Sequence, residues 1–351
     1  MTNKLLAITI LFFFLGVSIL SCEPLKVVTT LSDYAYFAKE IGGVNVDVSA
    51  IVLGNQDAHF IRPKPSFVTR VAKADLLVAT GLDLELWLPT VINRSGNRNV
   101  RSGQPGYVAT AHGMKMMEVP KVLSRSEGGL HIFGNPHVTC SPINMRVAAT
   151  NITSGFIKNM PEQSTYFKNM LKGLKLRLDN KLFGEKLVQL FGGDLLCRLA
   201  EKGKLTSFLE KKEYEGNALI ESLGGWMKKM MPLRGQPIVT YHKNWVYFLK
   251  LFGMIEAGTV EPKPGIPPSP RHRAQLISMM KKRNIKILLA ANYFNTRLAK
   301  SLAQRVGAKA VIVPLYVNGG KDTEDYFKLV DHWIDSLIVA AKDKGVGEIE
   351  R

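Results

Sequence analysis

Three of the seven histidines stand at turn signals or directly after short apolar runs. His59 lies in "GNQDAHF", just after the run "VDVSAIV", and His242 directly follows "PIVTY". His137 lies in "FGNPHV", on a Gly-Asn-Pro turn signal. Neutral imidazole is a favoured ligand of zinc and other late first-row ions, and three imidazoles with one further oxygen or water suit a tetrahedral centre. His59, His137 and His242 are therefore candidate metal ligands.

The same alternation of apolar runs and helical patterns occurs in both halves of the chain. Strands are predicted at 25–30, 46–52, 74–81, 237–241, 285–292 and 309–315. Helices are predicted between them at 32–43, 64–74, 244–252, 269–283 and 295–306. This alternation is typical of an α/β protein with two lobes built on parallel sheets. Ligands of such sheets gather beyond the carboxyl ends of the strands, which is where His59 and His242 are expected.

The chain between the two repeats has a helical composition. Ser141 and Pro142 form a cap and first-turn pair for one helix. A second helix is predicted over 161–183, where one apolar stripe consists of Phe167, Leu171, Leu174, Leu178 and Leu182. Further helices are expected over 184–235. The predicted division is an N-terminal lobe at 22–160, a linking helix and helical insert at 161–235, and a C-terminal lobe at 236–351.

The amino terminus predicts export. Residues 1–21 carry Lys4 as their one charge, followed by an apolar stretch that ends at Cys22. Its length and flanks are typical of a signal peptide rather than of a membrane span. The ending "ILSC" matches the bacterial lipobox, in which the cysteine becomes a lipidated amino terminus. We therefore expect a membrane-anchored lipoprotein in the periplasm or at the cell surface.

The chain is strongly basic, with 47 Lys and Arg against 29 Asp and Glu. Removal of Lys4 with the leader lowers the formal net charge from +18 to +17. An exported chain rarely meets nucleic acid and no aromatic-interleaved basic motif is present, so no nucleic-acid partner is predicted. The excess is interpreted as a solvated face near anionic lipid. A disulfide between Cys140 and Cys197 is allowed by the compartment but is not established by counting.

Four ordered blocks resemble a known family. They are "GNQDAHFIRPKPSFV", "FGNPHV", "VTYHKNWVYF" and "GTVEPKPGIPPSPRH". They resemble the signature blocks of the cluster A-I metal-binding lipoproteins, the substrate-binding proteins of zinc and manganese ABC transporters. The resemblance extends from Val27 to about Trp333. It implies two lobes, each a four-stranded parallel sheet flanked by helices, joined by a long backbone helix for which 161–183 is the candidate, with the metal in the cleft.

The resemblance assigns His59, His137 and His242 as the metal ligands. A histidine at the third position favours Zn²⁺, with Mn²⁺ as the alternative, because manganese-selective relatives often carry a carboxylate there. The fourth position departs from the family, since "LYVN" places Asn318 where relatives have an acidic residue. Asn318, Asp322 and water are all open as the fourth ligand. A site without a carboxylate keeps the +2 charge of the ion, which would weaken cation binding.

Other residues near these blocks have a structural and a functional interpretation. Cys140 is interpreted as a small buried thiol rather than a thiolate ligand. His131 is interpreted as an exposed loop histidine, with an accessory ligand as the alternative. Glu261 can supply a carboxylate that orients a ligand imidazole. Residues interpreted as packing, structural or surface positions are Trp245, Tyr247, His112, His272 and His332.

The predicted function is capture of the ion and its delivery to an ABC import permease by a monomer, without bond chemistry. A zinc hydrolase or lyase is an alternative, because three histidines and a water also form a catalytic arrangement. No carboxylate base stands at an evident spacing to the histidines, which disfavours it. An adhesin or a decayed paralogue without metal transport is the other alternative, and Asn318 is the residue that supports it.

Overall fold

The computed structural model of the protein describes residues 23–120, 131–263 and 265–347. The predicted signal peptide (1–21) and the predicted lipidation site Cys22 lie outside the described residues. Among the helices within these ranges, none combines the length and the apolarity that a bilayer crossing requires.

The first lobe is built on a parallel sheet of four strands. Its strands and helices are β1 (Leu25–Thr29), α1 (Ser32–Gly42), β2 (Val46–Ala50), α2 (Pro65–Ala72), β3 (Leu76–Ala79), α3 (Leu88–Ser95) and β4 (Tyr107–Ala109). The strand order is β2-β1-β3-β4. The central strands β1 and β3 are almost wholly apolar and buried, as expected for a parallel sheet that is covered on both faces.

A helical segment follows the first sheet. Its elements are α4 (Pro142–Asn159), α5 (Ser164–Phe183), α6 (Glu185–Phe191), α7 (Gly193–Glu201), α8 (Leu205–Glu210), the short strands β5 (Glu213–Tyr214) and β6 (Asn217–Ala218), and α9 (Gly225–Lys229). Ser141 caps α4 by accepting a hydrogen bond from the backbone N–H of Asn144, and Pro142 occupies its first turn, as predicted. The antiparallel pair β5–β6 was not predicted.

The second lobe repeats the first. Its elements are β7 (Pro237–Thr240), α10 (Val246–Phe252), β8 (Ile255–Thr259), α11 (Pro270–Lys282), β9 (Ile287–Ala291), α12 (Thr296–Arg305), β10 (Lys309–Val313) and α13 (Tyr326–Asp343). The strand order is β10-β9-β7-β8. Read from β8, it repeats the order of the first lobe, with β7 and β8 in the places of β1 and β2, and all pairs are parallel. The predicted α/β fold with two four-stranded parallel sheets is therefore confirmed.

Helix α5 contacts elements on both sides of the molecule. It packs on α1 and α4 of the first half and on α9, which itself contacts α13. The predicted stripe faces inward, with Phe167, Leu174, Leu178 and Leu182 buried and Leu171 half-buried. With 20 residues the helix spans about 30 Å. It ends at Gly184, whose φ of 86° lies outside the helical region.

The two lobes share one apolar core and several hydrogen bonds. A single cluster of buried side chains includes residues of both sheets and of α13. The Ser32 hydroxyl at the start of α1 donates to the carbonyl of Val317 after β10 (2.7 Å). The Tyr326 hydroxyl of α13 donates to the carbonyl of Thr139 before α4 (2.6 Å). These contacts pack the two lobes against each other.

Asp33 is a buried carboxylate at this contact between the lobes. Its Oδ1 accepts a hydrogen bond from the backbone N–H of Val317 (3.3 Å), whereas its Oδ2 has no partner among the described residues. Burial raises the pKa of Asp33 to about 8. Ionisation of Asp33 therefore costs more in the folded protein than in the unfolded chain.

We expect Asp33→Asn to stabilise the protein more at pH 8 than at pH 5. A carboxyl with a raised folded-state pKa contributes stability below its unfolded value, and this contribution is lost as the pH rises towards the folded value. The expected gain in the free energy of unfolding at pH 8 is about 1–3 kcal/mol. Urea denaturation at both pH values measures it. Asp47→Asn, at an exposed position on β2, removes the same charge and is the control; an equal gain at both pH values would contradict the prediction.

Candidate metal centre

His59 is fixed by the carboxylate of Asp57. The chain leaves β2 and forms a 3-10 turn over Ala58–Phe60, which Asp57 caps. Asp57 Oδ1 accepts one hydrogen bond from the backbone N–H of His59 (3.0 Å) and another from its Nδ1 (2.8 Å). Burial alone would raise the pKa of Asp57, but the hydrogen bonds and charge of His59 outweigh it, so this pKa lies below its usual value. Since a carboxylate only accepts, Nδ1 carries a proton, and in the neutral ring the lone pair is therefore on Nε2.

His242 is held in a similar way by the second lobe. It follows β7 directly, and its Nδ1 donates to Glu261 Oε2 (2.9 Å). Glu261 follows β8, the strand that pairs with β7, so both residues leave the sheet at the same edge. The orienting carboxylate proposed from the sequence is thus in contact with the imidazole. His242 also presents its Nε2 lone pair.

His137 is the most deeply buried of the three histidines, with 2% of the residue exposed. Asn135 positions its segment: Asn135 Oδ1 accepts from the backbone N–H of His137 (3.0 Å), and Nδ2 donates to the carbonyl of Lys243 (2.8 Å). The Tyr247 hydroxyl donates to the carbonyl of Asn135 (2.7 Å). Residues next to His242 in the second lobe therefore hold the loop that carries His137.

The three predicted histidines converge. One ring nitrogen from each of His59, His137 and His242 lies within 4.8 Å of the others. Neither ring nitrogen of His137 has a hydrogen-bond partner among the described residues. Burial, with the charges of the neighbouring histidines, holds the pKa of His137 well below its usual value, so the ring is neutral. A buried imidazole without a partner, facing two more imidazoles, fits a metal ion.

His131 lies beside His59 and is largely buried, so its interpretation as an exposed loop histidine is wrong. Its side chain is 15% exposed, and its Nε2 lies 3.2 Å from Nε2 of His59. The Nδ1 of His131 donates to Asp83 Oδ1 (2.9 Å), and the backbone N–H of Ile132 donates to Asp83 Oδ2 (2.9 Å). Asp83 follows β3, so a fourth strand end contributes to the site, after those of β2, β7 and β8.

The other positions considered from the sequence are exposed to solvent or buried without a ligand role. Asn318 and Asp322 are exposed, in a turn where both have a positive φ. Cys140 is fully buried, and burial raises the pKa of its thiol well above the usual range, so it is not a thiolate. Cys140 and Cys197 are both free and buried.

The remaining histidines and aromatic residues have no place in the cluster. His112 is exposed, His272 Nε2 contacts the carbonyl of Thr259 (3.0 Å), and His332 is half-buried on α13. Trp245 is buried against Trp333, with ring centroids 5.2 Å apart, as expected for packing.

Three polar residues that position the site were not identified from the sequence. They are Asp57, Asp83 and Asn135. Asp57 had a local signal, because an aspartate two residues before His59 can cap the turn that carries the histidine. The only sequence signal for Asp83 was its position after a predicted strand, because its partner His131 is 48 residues away along the chain.

Two α/β lobes whose imidazoles converge between them define a metal-binding protein of the solute-binding class. The chain belongs to the family described as zinc-uptake complex component A, periplasmic (ZnuA), whose model matches residues 27–181 and 209–340. The matched ranges contain His59, His131 and His137 in the first range and His242 in the second.

Similar proteins carry names that agree with this family. The chain is 23% identical over 323 residues to the high-affinity zinc uptake system protein ZnuA of Bacillus subtilis, covering 90% of this chain and 87% of that protein. It is 22% identical over 329 residues to the manganese ABC transporter substrate-binding lipoprotein PsaA of Streptococcus anginosus, covering 90% and 89%. The crystal structure of a ZnuA deletion mutant with zinc bound has a TM-score of 0.66 at 19% identity, covering 91% of this chain and 98% of that one.

We expect Glu261→Gln to weaken zinc binding about 10- to 100-fold, as loss of a carboxylate behind a ligand histidine generally does. An amide accepts more weakly from His242 Nδ1 and does not offset the charge of the ion. Competition titration with a chromophoric chelator measures the affinity. Glu256→Gln is the matched control, because Glu256 is also half-buried, on β8, but accepts from the Thr240 hydroxyl instead of a histidine. Equal affinities of the two variants would contradict the role of Glu261.

Proposed function

We propose that this protein is an extracytoplasmic zinc-binding protein that captures Zn²⁺ in the cleft between its lobes and delivers it to the permease of an ABC importer. His59, His137 and His242 are the proposed ligands. The observation that carries the proposal is the convergence of three imidazoles from the two lobes, with the buried ring of His137 lacking any other partner. Membership of the zinc-uptake family supports the same role.

Zinc is the proposed cargo in preference to manganese. The ligand group found within the described ranges consists of imidazoles, which suit zinc, whereas Mn²⁺ favours carboxylate and carbonyl oxygen. The relatives are named for both zinc and manganese, so Mn²⁺ is the second ion to test. The carboxylates of Asp57 and Glu261 contact ring Nδ1 atoms and supply charge at a distance from the ion.

The proposed location is outside the cytoplasmic membrane. The family is described as periplasmic, and one relative is named as a lipoprotein. We propose that residues 1–21 direct export and that Cys22 carries the lipid anchor, so that the protein acts as a tethered monomer beside its permease. We also propose the division into lobes at 22–160 and 236–351 with a linking segment at 161–235, because a helical segment separates the two sheets along the chain.

The proposed mechanism is binding and release without bond chemistry. The neutral imidazoles coordinate the ion through their lone pairs, and their ring nitrogens, now within 4.8 Å of each other, draw together around it. Because the lobes share a packed core, this movement is local rather than a wide hinge. The carboxylates nearest to the rings are already hydrogen-bonded to Nδ1 atoms, which supports a binding role over one as a general base.

We expect His59→Ala, His137→Ala and His242→Ala each to lower zinc affinity by more than about 100-fold, since each removes a direct ligand and not merely its support. Calorimetric titration of the metal-stripped protein with Zn²⁺ and then Mn²⁺ measures both affinities. His332→Ala, half-buried on α13, is the control and should bind zinc like the wild type.

The same titration separates this proposal from its alternatives. Submicromolar zinc affinity that each ligand substitution abolishes is the expected result. Absence of heat with either ion in the wild type would reject the transport role in favour of an adhesin or a decayed paralogue. Turnover of ester or peptide substrates by the zinc-loaded protein would instead favour the hydrolase.

A further inference from the structure

His59 and His131 face each other through the same type of atom. Their Nε2 atoms are 3.2 Å apart, while Nδ1 of each ring donates to a carboxylate, Asp57 for one and Asp83 for the other. In a neutral imidazole only one nitrogen carries a proton, so both Nε2 atoms present lone pairs to each other. Two acceptors in contact repel unless a cation, a proton or a metal ion, lies between them.

The separation of these nitrogens suits a shared zinc ion. Two nitrogens bound to tetrahedral zinc at about 2.0–2.1 Å lie roughly 3.3–3.4 Å apart. The observed 3.2 Å between the Nε2 atoms of His59 and His131 is close to this value. The His131 ring is also near His137, with centroids 6.2 Å apart. Among the described residues, His131 lies outside the group of three whose nitrogens are within 4.8 Å of one another, so its ring has to move towards His137 to share their ion.

His131 is held in place by contacts on both its ring and its backbone. Asp83 binds the ring through Oδ1 and the next backbone N–H, at Ile132, through Oδ2. The backbone N–H of Gly134 donates to the carbonyl of His131 (3.1 Å), which closes a turn towards His137. The side chains of His131 and Asp83 are 15% and 12% exposed. This arrangement resembles those of His59 with Asp57 and His242 with Glu261.

We propose that His131 is the fourth metal ligand, so that the centre is a four-imidazole site with three ligands from the first lobe and one from the second. This proposal rests on the proposed zinc-binding function and deepens it. Asn318, at the family's fourth position, and the alternative Asp322 lie exposed in their turn. Four neutral nitrogen donors favour zinc over manganese, which prefers oxygen ligands.

The test is nuclear magnetic resonance of residues 23–351, which lack the predicted leader and lipid anchor. The protein is labelled with ¹⁵N in histidine and loaded with ¹¹³Cd²⁺ as a zinc substitute. We expect one-bond ¹¹³Cd–¹⁵N coupling to four histidines in the wild type and to three in His131→Ala. Zinc affinity of His131→Ala should fall by at least the roughly 10- to 100-fold that follows loss of an outer partner. Asn318→Ala and Asp322→Ala are the controls and should retain four couplings and wild-type affinity.

Two further variants cover misfolding and specificity. His131→Gln keeps a side chain of similar reach and should also lose one coupling, so a loss in both variants is not an effect of folding. His131→Asp supplies an oxygen ligand and should raise the affinity for Mn²⁺ relative to Zn²⁺. Three couplings in the wild type, unchanged by His131→Ala, would overturn the role of His131 and leave the proposed function intact. Absence of ion binding in the wild type would overturn both.

Discussion

The site depends on the direction in which each imidazole presents its lone pair. A carboxylate binds Nδ1 of His59, of His131 and of His242, and thereby leaves Nε2 of each neutral ring as the atom that is available to an ion. Burial keeps His137 neutral and leaves both of its nitrogens without a partner among the described residues. Grouped lone pairs are unfavourable by themselves, and a cation at their centre removes this cost. The tautomers are thus set before the ion arrives.

The fold brings these residues together because parallel strands end at a common edge. The His59 loop follows β2, Asp83 follows β3, and His242 follows β7, so each lobe presents the carboxyl end of its sheet to the cleft. The hydrogen bond from Tyr247 to the carbonyl of Asn135 then joins the second lobe to the loop of His137. With a core continuous across both lobes, the distances within the cluster are set by packing rather than by the equilibrium of a hinge.

Local patterns predicted more of this structure than long-range ones. Six strands were located because their apolar runs are continuous, whereas β4 has three residues and β8 contains a glycine and a glutamate, so neither formed a distinct run. The three histidines at 59, 137 and 242 could be chosen by their neighbours in sequence. His131 could not, because what buries it is Asp83, a residue that only the folded first sheet places beside it.

The positive charge of a bound ion has to be compensated, and the structure places more carboxylates near the histidines than the sequence suggested. A site with histidines and Asn318 suggested an uncompensated +2. Asp57, Asp83 and Glu261 instead surround the cluster, each hydrogen-bonded to Nδ1 of one imidazole ring. Their negative charge still attracts a cation in a partly buried setting. Their oxygens do not become ligands, so the affinity gained from charge does not favour the oxygen-preferring Mn²⁺. In each hydrogen-bonded pair, the carboxylate therefore attracts a divalent ion, and the imidazole nitrogen selects an ion that prefers nitrogen ligands.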